Sequence, residues 1–304
     1  MTASTKDARG ELASRVLPQM QLSTGSNPLT APLKATSSSS PQERAMLRFS
    51  VHGNAIVTGG AGALAMSVSK ALLEHGLTSI CLLDLPSTLE TSKARIAALS
   101  EEFPGKVNTI AADVTSATAI SEAIDTAAER MGGGIDILCC FAGIVGCVPS
   151  ISVTPEQFDK VLQVNLTGSF LCAQAAARHM IRRGTGGAIL FTASISAHHV
   201  NFPQPQIAYN TSKIAVAHMA RNLAVEWAVH GIRVNSISPG YMDTILNEGD
   251  NLKSARDVWN SRCPMGRMGD PEEMTGPAVL LCSNTAGRYI TGADLIVDGG
   301  SMCL

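Results

Sequence analysis

From about His52 onward, short apolar runs alternate with longer segments of helical spacing. Asn54–Thr58 (Asn-Ala-Ile-Val-Thr) predicts a strand, a glycine-rich turn follows, and residues 64–75 predict a helix that stops at Gly76. The same alternation predicts strands over 79–84, 107–112, 135–141, 188–193, 232–237 and 294–297. Helices are expected over 88–103, 117–131, 158–183 (as one or two pieces) and 208–230, the last closed by Gly231. Strands alternating with helices make βαβ units, and right-handed crossovers turn these into an α/β fold. The expected architecture is a single Rossmann-type domain, a doubly wound parallel sheet of about seven strands. No repeat of solenoid length interrupts it.

Residues 1–48 break this pattern. They are rich in Ser, Thr, Pro and Gln and contain the run Ser37-Ser38-Ser39-Ser40-Pro41. Such a composition buries little apolar surface, so a disordered N-terminal extension is expected there, with residues 49–304 as the dinucleotide-binding and catalytic unit. Arg9 and Arg15 with few acids make a mitochondrial transit segment the alternative to a plain tail on a cytoplasmic protein.

Composition narrows the function classes. The 304 residues are 45% hydrophobic, 16% charged and only 4% aromatic. A core of Ala, Val, Ile and Leu suits a parallel sheet covered by helices on both faces. The net charge of −2, with no basic block, gives no reason to expect nucleic-acid or acidic-membrane partners. No apolar stretch approaches the ~18 residues of a membrane span. The 8 cysteines form no C-x-x-C pair and none stands at zinc spacing from a histidine, so reduced thiols and no metal site are expected.

In a doubly wound sheet the ligand sits beyond the carboxyl ends of the strands, so the residues that follow strands carry the chemistry. Thr58-Gly59-Gly60-Ala61-Gly62-Ala63-Leu64-Ala65 joins the first strand to the first helix. Glycines there let the backbone approach a pyrophosphate, and the helix start offers free N–H groups. Gly59, Gly62 and Leu64 are the candidate contacts. Asp84 ends the second strand, where a carboxylate accepts hydrogen bonds from the adenosine ribose and repels a 2′-phosphate; this favours NAD and leaves NADP as the alternative. Asp113, ending the third strand, either caps the next helix or meets the adenine.

Tyr209 and Lys213 stand four residues apart at a helix start, on one face and one turn from each other. An ammonium beside a phenol lowers the tyrosine pKa from about 10 and makes an acid/base group. Ser194 and Ser196 end the preceding strand, where a hydroxyl can bond the substrate oxygen. Asn165 sits inside a helical stretch, a poor place for Asn, which points to a structural or water-holding role.

Together these pieces resemble the short-chain dehydrogenase/reductase family over residues 50–304. The resemblance rests on Thr58-Gly59, Asp113-Val114, Ala142-Gly143, Asn165, Ser194, Tyr209-x-x-x-Lys213, Pro239-Gly240 and Val297-Asp298-Gly299-Gly300. It implies that Tyr209 exchanges a proton with the substrate oxygen, Lys213 binds the nicotinamide ribose, and Ser194 orients the substrate. It further implies a water held by Asn165, an adenine contact from Asp113, a carboxamide contact from Thr244, and cofactor contacts at Gly143 and Met242. A homotetramer or homodimer is implied as well.

Three departures stand out. Ala63 and Ala65 replace the later glycines of the family turn. Cys140-Phe141-Ala142-Gly143 replaces its Asn-Asn-Ala-Gly. Ser194 lies farther from Tyr209 than is usual; Ser196 fits the spacing, but the local pattern Ala193-Ser194-x-x-Ala197 selects Ser194, with an insertion within 201–206. Ser-Ile-Ser-Ala, the 201–206 segment and Pro-Gly-Tyr-Met-Asp-Thr look like the D-arabinitol/mannitol 2-dehydrogenase, or polyol, branch. His198, His199, Asn201, Gln204 and Gln206 then make a polar strip for a polyol/ketose substrate. The alternatives are a ketoreductase tailoring an apolar secondary metabolite, with an apolar pocket around Tyr241, Met242 and the segment to Cys263, and a catalytically silent nucleotide-binding sensor.

Overall fold

Seven parallel strands form the centre of the chain, in the order β3-β2-β1-β4-β5-β6-β7. They are β1 (Asn54–Thr58), β2 (Ser79–Asp84), β3 (Val107–Ala111), β4 (Ile137–Cys140), β5 (Gly187–Thr192), β6 (Ile232–Pro239) and β7 (Asp294–Val297). The computed structural model describes residues 15–33, 40–244, 247 and 250–304. Strand order reverses between β1, which pairs with β2 on one side, and β4 on its other side. The doubly wound sheet expected from the sequence is therefore present, and its crevice opens at the ends of β1 and β4.

Helices cover both faces. On one face lie Ala117–Arg130, Ser169–Arg183 and Ile207–Trp227, packed on Ile56, Leu138, Cys140, Ile189 and Phe191. On the other lie Ala63–Glu74, Lys93–Glu102 and Thr275–Cys282, packed on Ala55, Val57, Ile137, Cys139 and Leu190. Every position of β1 and β4 is buried, so these strands read as unbroken apolar runs in the sequence. Of the eight thiols, six are buried and Cys147 and Cys303 are exposed; all are free.

Some elements depart from the sequence expectation. The helix expected over 88–103 divides at Ser92 into Pro86–Thr91 and Lys93–Glu102. There the Ser92 hydroxyl and the Arg95 guanidinium both donate to the Ala61 carbonyl of the glycine-rich turn. The helical region expected over 158–183 starts earlier, at Pro155, on a reciprocal Thr154–Gln157 cap. It passes through a wide π-type turn at Gln163–Gly168 before continuing as Ser169–Arg183. Helices Lys253–Ser261 and Thr275–Cys282 were not expected. The first is short, and Trp259 is its one buried side chain. The second carries Pro277, tolerated because a first-turn N–H has no intrahelical partner.

Part of the 1–48 segment, expected to lack order, is structured. Pro41–Arg48 is a helix whose Ser40 cap and Glu43 bond each other's backbone N–H. Asn27 Nδ2 donates to the Val229 carbonyl at 2.9 Å, and Arg288 Nε donates to the Ala31 carbonyl at 2.8 Å. Residues 1–14 and 34–39, including Arg9 and Ser37-Ser38-Ser39, lie outside the described residues. Among the described residues no helix is long and apolar enough to cross a membrane.

The glycine-rich turn runs close against the sheet. A Cβ on Gly60 would lie 2.7 Å from the Val57 carbonyl oxygen and 2.8 Å from Leu82 Cα, both main-chain atoms in the sheet. A Cβ on Gly62 would meet only the Gly59 oxygen, at 3.1 Å. Gly60→Ala should therefore cost about 1–3 kcal/mol of unfolding free energy, and Gly62→Ala less than half of that. Urea denaturation of the two variants checks the order; equal losses would show that β2 yields freely to the added methyl.

Candidate active site

The carboxyl ends of β1, β2, β4, β5 and β6 bring most of the candidate residues to one edge of the sheet. Gly59 leaves β1 with φ +63°, and a Cβ there would collide with the Ala142 backbone at 2.6 Å. Only glycine suits that combination. Gly62 begins the helix Ala63–Glu74, and no side chain caps its first turn. The early N–H groups, including that of Leu64, thus stand at a helix N-terminus built to meet an anion. Ala65, one of the departures from the family turn, is 1% exposed and packs in the core beneath the turn. Its methyl is absorbed by helix–sheet packing.

Asp84 closes β2 beside this turn. Its Oδ2 accepts from Ala61 N at 3.1 Å and its Oδ1 from Leu85 N at 2.8 Å. Each oxygen keeps a further lone pair. Asp113 is exposed and folds onto its own turn, accepting from Thr115 N and Oγ1 through Oδ1. The cap of the following helix is Ser116, which bonds Ala119 N, so the capping option considered for Asp113 does not apply.

Tyr209 and Lys213 lie on the helix Ile207–Trp227, one turn apart as spaced in the sequence, with Nζ 5.4 Å from the phenol ring centre. Lys213 is 5% exposed, and its Nζ donates to the Thr192 carbonyl at the end of β5, at 2.7 Å. Burial pushes its pKa down to about 8, with the neighbouring Cys140 opposing. Burial also pushes the Tyr209 pKa up; the Ser194 hydroxyl pulls it down, while Tyr241 and Cys147 add to the rise. The expectation that Lys213 lowers the Tyr209 pKa is therefore corrected. Desolvation governs both groups in the chain on its own: it keeps the phenol neutral and brings the ammonium close to losing its proton.

Ser194, rather than Ser196, is the hydroxyl beside the phenol. Ser194 Oγ accepts from Ser196 N at 3.1 Å and bonds Ser196 Oγ at 3.0 Å, so Ser196 supports it from behind. Asn165 sits within the π-type turn, a distortion that often marks functional sites. Its Oδ1 accepts from Ile144 N at 2.8 Å, and its Nδ2 donates to the Ile144 carbonyl and to Ser212 Oγ, each at 3.0 Å. The side chain thus clamps the chain leaving β4 to the tyrosine helix. Between these groups lies Gly143. A Cβ placed there would be 3.3 Å from Asn165 Oδ1 and 3.8 Å from Lys213 Nζ. Cys140, where the family has Asn, is fully buried below, its thiol pushed well up by burial and held neutral. Met242 is buried and Thr244 half-buried just beyond β6; their carbonyls accept from Asn247 Nδ2 and Asn247 N, both at 2.8 Å.

The expected polar strip is brought together only in part. Asn201 and Gln204 both donate to the Tyr241 hydroxyl, at 2.9 and 3.0 Å, and Gln206 Nε2 donates to Asn210 at 3.1 Å. His198 does not join them. It pairs with the Asp294 carboxylate at 2.6 Å, which also accepts from Ser236 and Ser238. Sequence reasoning missed Thr192, Ser212 and Trp259. Ser212 was findable, one residue before Lys213, whereas Trp259 reaches the site only through the fold, stacking on Tyr241 at 4.3 Å and 8°. Among the described residues no cluster of His, Cys, Asp or Glu could hold a metal ion.

Comparison with known proteins places this geometry in a lineage. Residues 45–302 match the family described as enoyl-(acyl carrier protein) reductase. The ribulose-forming D-arabinitol 2-dehydrogenase of Scheffersomyces stipitis is 36% identical over 260 residues, covering 82% of this chain and 93% of that one. A probable NADP-dependent mannitol dehydrogenase of Yarrowia lipolytica is 37% identical over 284 residues, covering 92% and 97%. The crystal structure of a short-chain type dehydrogenase/reductase from Mycobacterium marinum superposes with a TM-score of 0.78 at 39% identity, covering 84% of this chain and 98% of that one.

The lowered Lys213 pKa has a stability consequence. Between about pH 8 and 10.5 the unfolded chain holds the lysine proton more tightly than the folded one. The penalty is fully present below about pH 8 and disappears as pH rises toward 10.5. Unfolding free energy should therefore climb across that window, and Lys213→Met should abolish its share of the climb. Chemical denaturation of both proteins at pH 7.5, 9 and 10 tests this; parallel curves would mean that Lys213 is not desolvated.

Proposed function

The chain belongs to the short-chain dehydrogenase/reductase family of nicotinamide-dependent oxidoreductases, and from that premise we propose that it interconverts a polyol and its ketose with NAD(H). The observation that carries this reading is the meeting of Tyr209, Ser194 and buried Lys213 with the amides of Asn201 and Gln204, which bond the Tyr241 hydroxyl, and of Gln206, which accepts from Gln204. A polyol brings hydroxyls that are costly to desolvate unpaired, and amides answer them. The catalytic unit in this reading is residues 49–304. Self-association belongs to the same proposal, supported by the exposed apolar side chains Ile181, Ile214 and Val225 on its long helices.

The residues present fit a dinucleotide. The uncapped helix start at Gly62 suits a pyrophosphate, Asp84 suits a ribose diol, and the missing side chain at Gly143 leaves space beside Lys213. When bound, the nicotinamide supplies or takes up the hydride. Tyr209 handles the proton at the substrate oxygen. Its raised pKa keeps it a neutral phenol, ready to donate during ketone reduction; alcohol oxidation needs that proton removed. Ser194 shares the substrate oxygen. Lys213, fixed by Thr192, holds positive charge near the ribose position, and Asn165 keeps the chain after β4 in register with the tyrosine helix.

Two other readings have less support. The stacked Tyr241–Trp259 wall would suit an apolar ketone, but the hydroxyl of one ring and the N–H of the other both bond Gln204. A silent sensor would not need the Tyr209–Ser194 contact.

Tyr209→Phe should lower turnover about 10²–10⁴-fold with cofactor affinity nearly unchanged. Steady-state rates at the reduced-nicotinamide absorbance, with a fluorescence titration of NADH, decide it; near-full activity would remove Tyr209 from the chemistry. Cofactor choice rests on Asp84, with the Arg95 guanidinium bonded to the same turn. Asp84→Ala removes the repulsion of a 2′-phosphate and leaves the cation. The kcat/KM ratio of NAD to NADP should fall at least about tenfold. An unchanged ratio would place the ribose elsewhere.

A further inference from the structure

We propose that Asn201 is a specificity residue whose amide binds a hydroxyl of the substrate other than the one that reacts. The proposal rests on the polyol/ketose reading and names where that substrate is recognised.

Asn201 is 8% exposed. Its Nδ2 lies 2.9 Å from the Tyr241 hydroxyl, and its Oδ1 has no partner. Turning the amide over would let the Tyr241 proton bond Oδ1 and would carry the NH2 group into the same buried place. A buried polar end without a partner is rare in native interiors.

The neighbouring indole and amides are engaged with one another. Trp259 Nε1 can only donate, and it donates to Gln204 Oε1 at 3.1 Å. This fixes Gln204 with its NH2 toward Tyr241, at 3.0 Å, and toward Gln206 Oε1, at 3.4 Å. Gln206 in turn donates to Asn210 at 3.1 Å and takes the Cys147 thiol at 3.7 Å. Within this network Asn201 Oδ1 is the buried atom left without a partner.

Tyr241, the partner of this amide, lies beside the reaction centre. Residues 201–206 connect the segment carrying Ser194 to the helix carrying Tyr209. Tyr241 is near enough to Tyr209 to disfavour its ionisation, and the Cys147 thiol lies beside both phenols. The group that completes Asn201 must either donate to Oδ1 or accept from the NH2. A neutral hydroxyl does both, so a polyhydroxylated chain satisfies the amide whichever way it is turned. A plain alcohol or ketone leaves it unpaired.

The test is a cycle between residue and substrate. Wild type and Asn201→Leu are assayed on D-arabinitol, mannitol and their monodeoxy analogues, with a plain secondary alcohol as reference. The ratio of kcat/KM for the polyol over the plain alcohol should fall about 10- to 100-fold in Asn201→Leu, mainly through KM. One monodeoxy analogue should be poor for wild type yet lose nothing further in the variant. Tyr241→Phe, which removes the hydroxyl that orients Asn201, should lower the same ratio by a smaller factor and serves if the leucine variant does not fold. An unchanged ratio in the variants, or equal losses on polyol and plain alcohol, overturns the proposal and leaves a water as the amide's partner. A wild type that turns over plain ketones but no polyol overturns the functional reading itself, and that failure is visible before any variant is made.

Discussion

A parallel sheet covered by helices on both faces has only its edges left for chemistry. β1 and β4 are buried at every position, so neither can present a polar side chain from its middle. What the strands cannot carry is handed to the turns at their carboxyl ends, and the reversal between β1 and β4 holds those turns apart. The turn after β1 accordingly has to be thin. Gly59 at φ +63° and Gly60 against Leu82 bring backbone where side chains would collide. Every other part of the site takes its position from this edge: Asp84 beside the turn, Gly143 across from it, and Thr192 facing Lys213.

The same burial sets the chemistry of the acid/base pair. An ammonium in the interior is costly unless it is matched, and Lys213 has one named partner, a carbonyl. Its proton is therefore held loosely. The phenol next to it is desolvated as well and holds its proton tightly. Proximity alone suggested the opposite, a cation pulling a phenol toward ionisation. In a pocket where both groups lose hydration, desolvation is the largest influence on each, and Lys213 stands 5.4 Å from the ring centre. Ser194 is the side chain that works against it.

Much of the fold was legible because of this architecture. β1, β2 and β7 begin and end where the sequence pattern places them; for β1 and β2 the reason is that strands buried on both faces are punctuated only by the polar residues at their ends. Tyr209 and Lys213 were legible because helical spacing alone fixes their relation. What could not be read depends on contacts between distant parts of the chain. Gln204 meets Trp259 across 55 positions, and His198 meets Asp294 across 96. No periodicity encodes either. The π-type turn was half legible: Asn165 is a poor residue for the middle of a helix, but only the fold shows that its amide is spent on Ile144 and Ser212. The helix at Lys253–Ser261 was hidden because it is short and mostly polar, with a single buried side chain.

Those long-range contacts explain how a loop can act as part of a binding wall. The segment from His198 to Gln206 is tied down at His198 by Asp294, at Gln204 by Trp259 and at Gln206 by Asn210. Each tie satisfies polar groups that would otherwise need water, and each removes freedom that a ligand would have to freeze on binding. Asn201 lies between the ties, held at one end by Tyr241 and unpaired at the other. A loop ordered in advance spends little of a ligand's binding energy on its own ordering. The energy of a hydrogen bond to that remaining amide end is then available to separate one substrate from another.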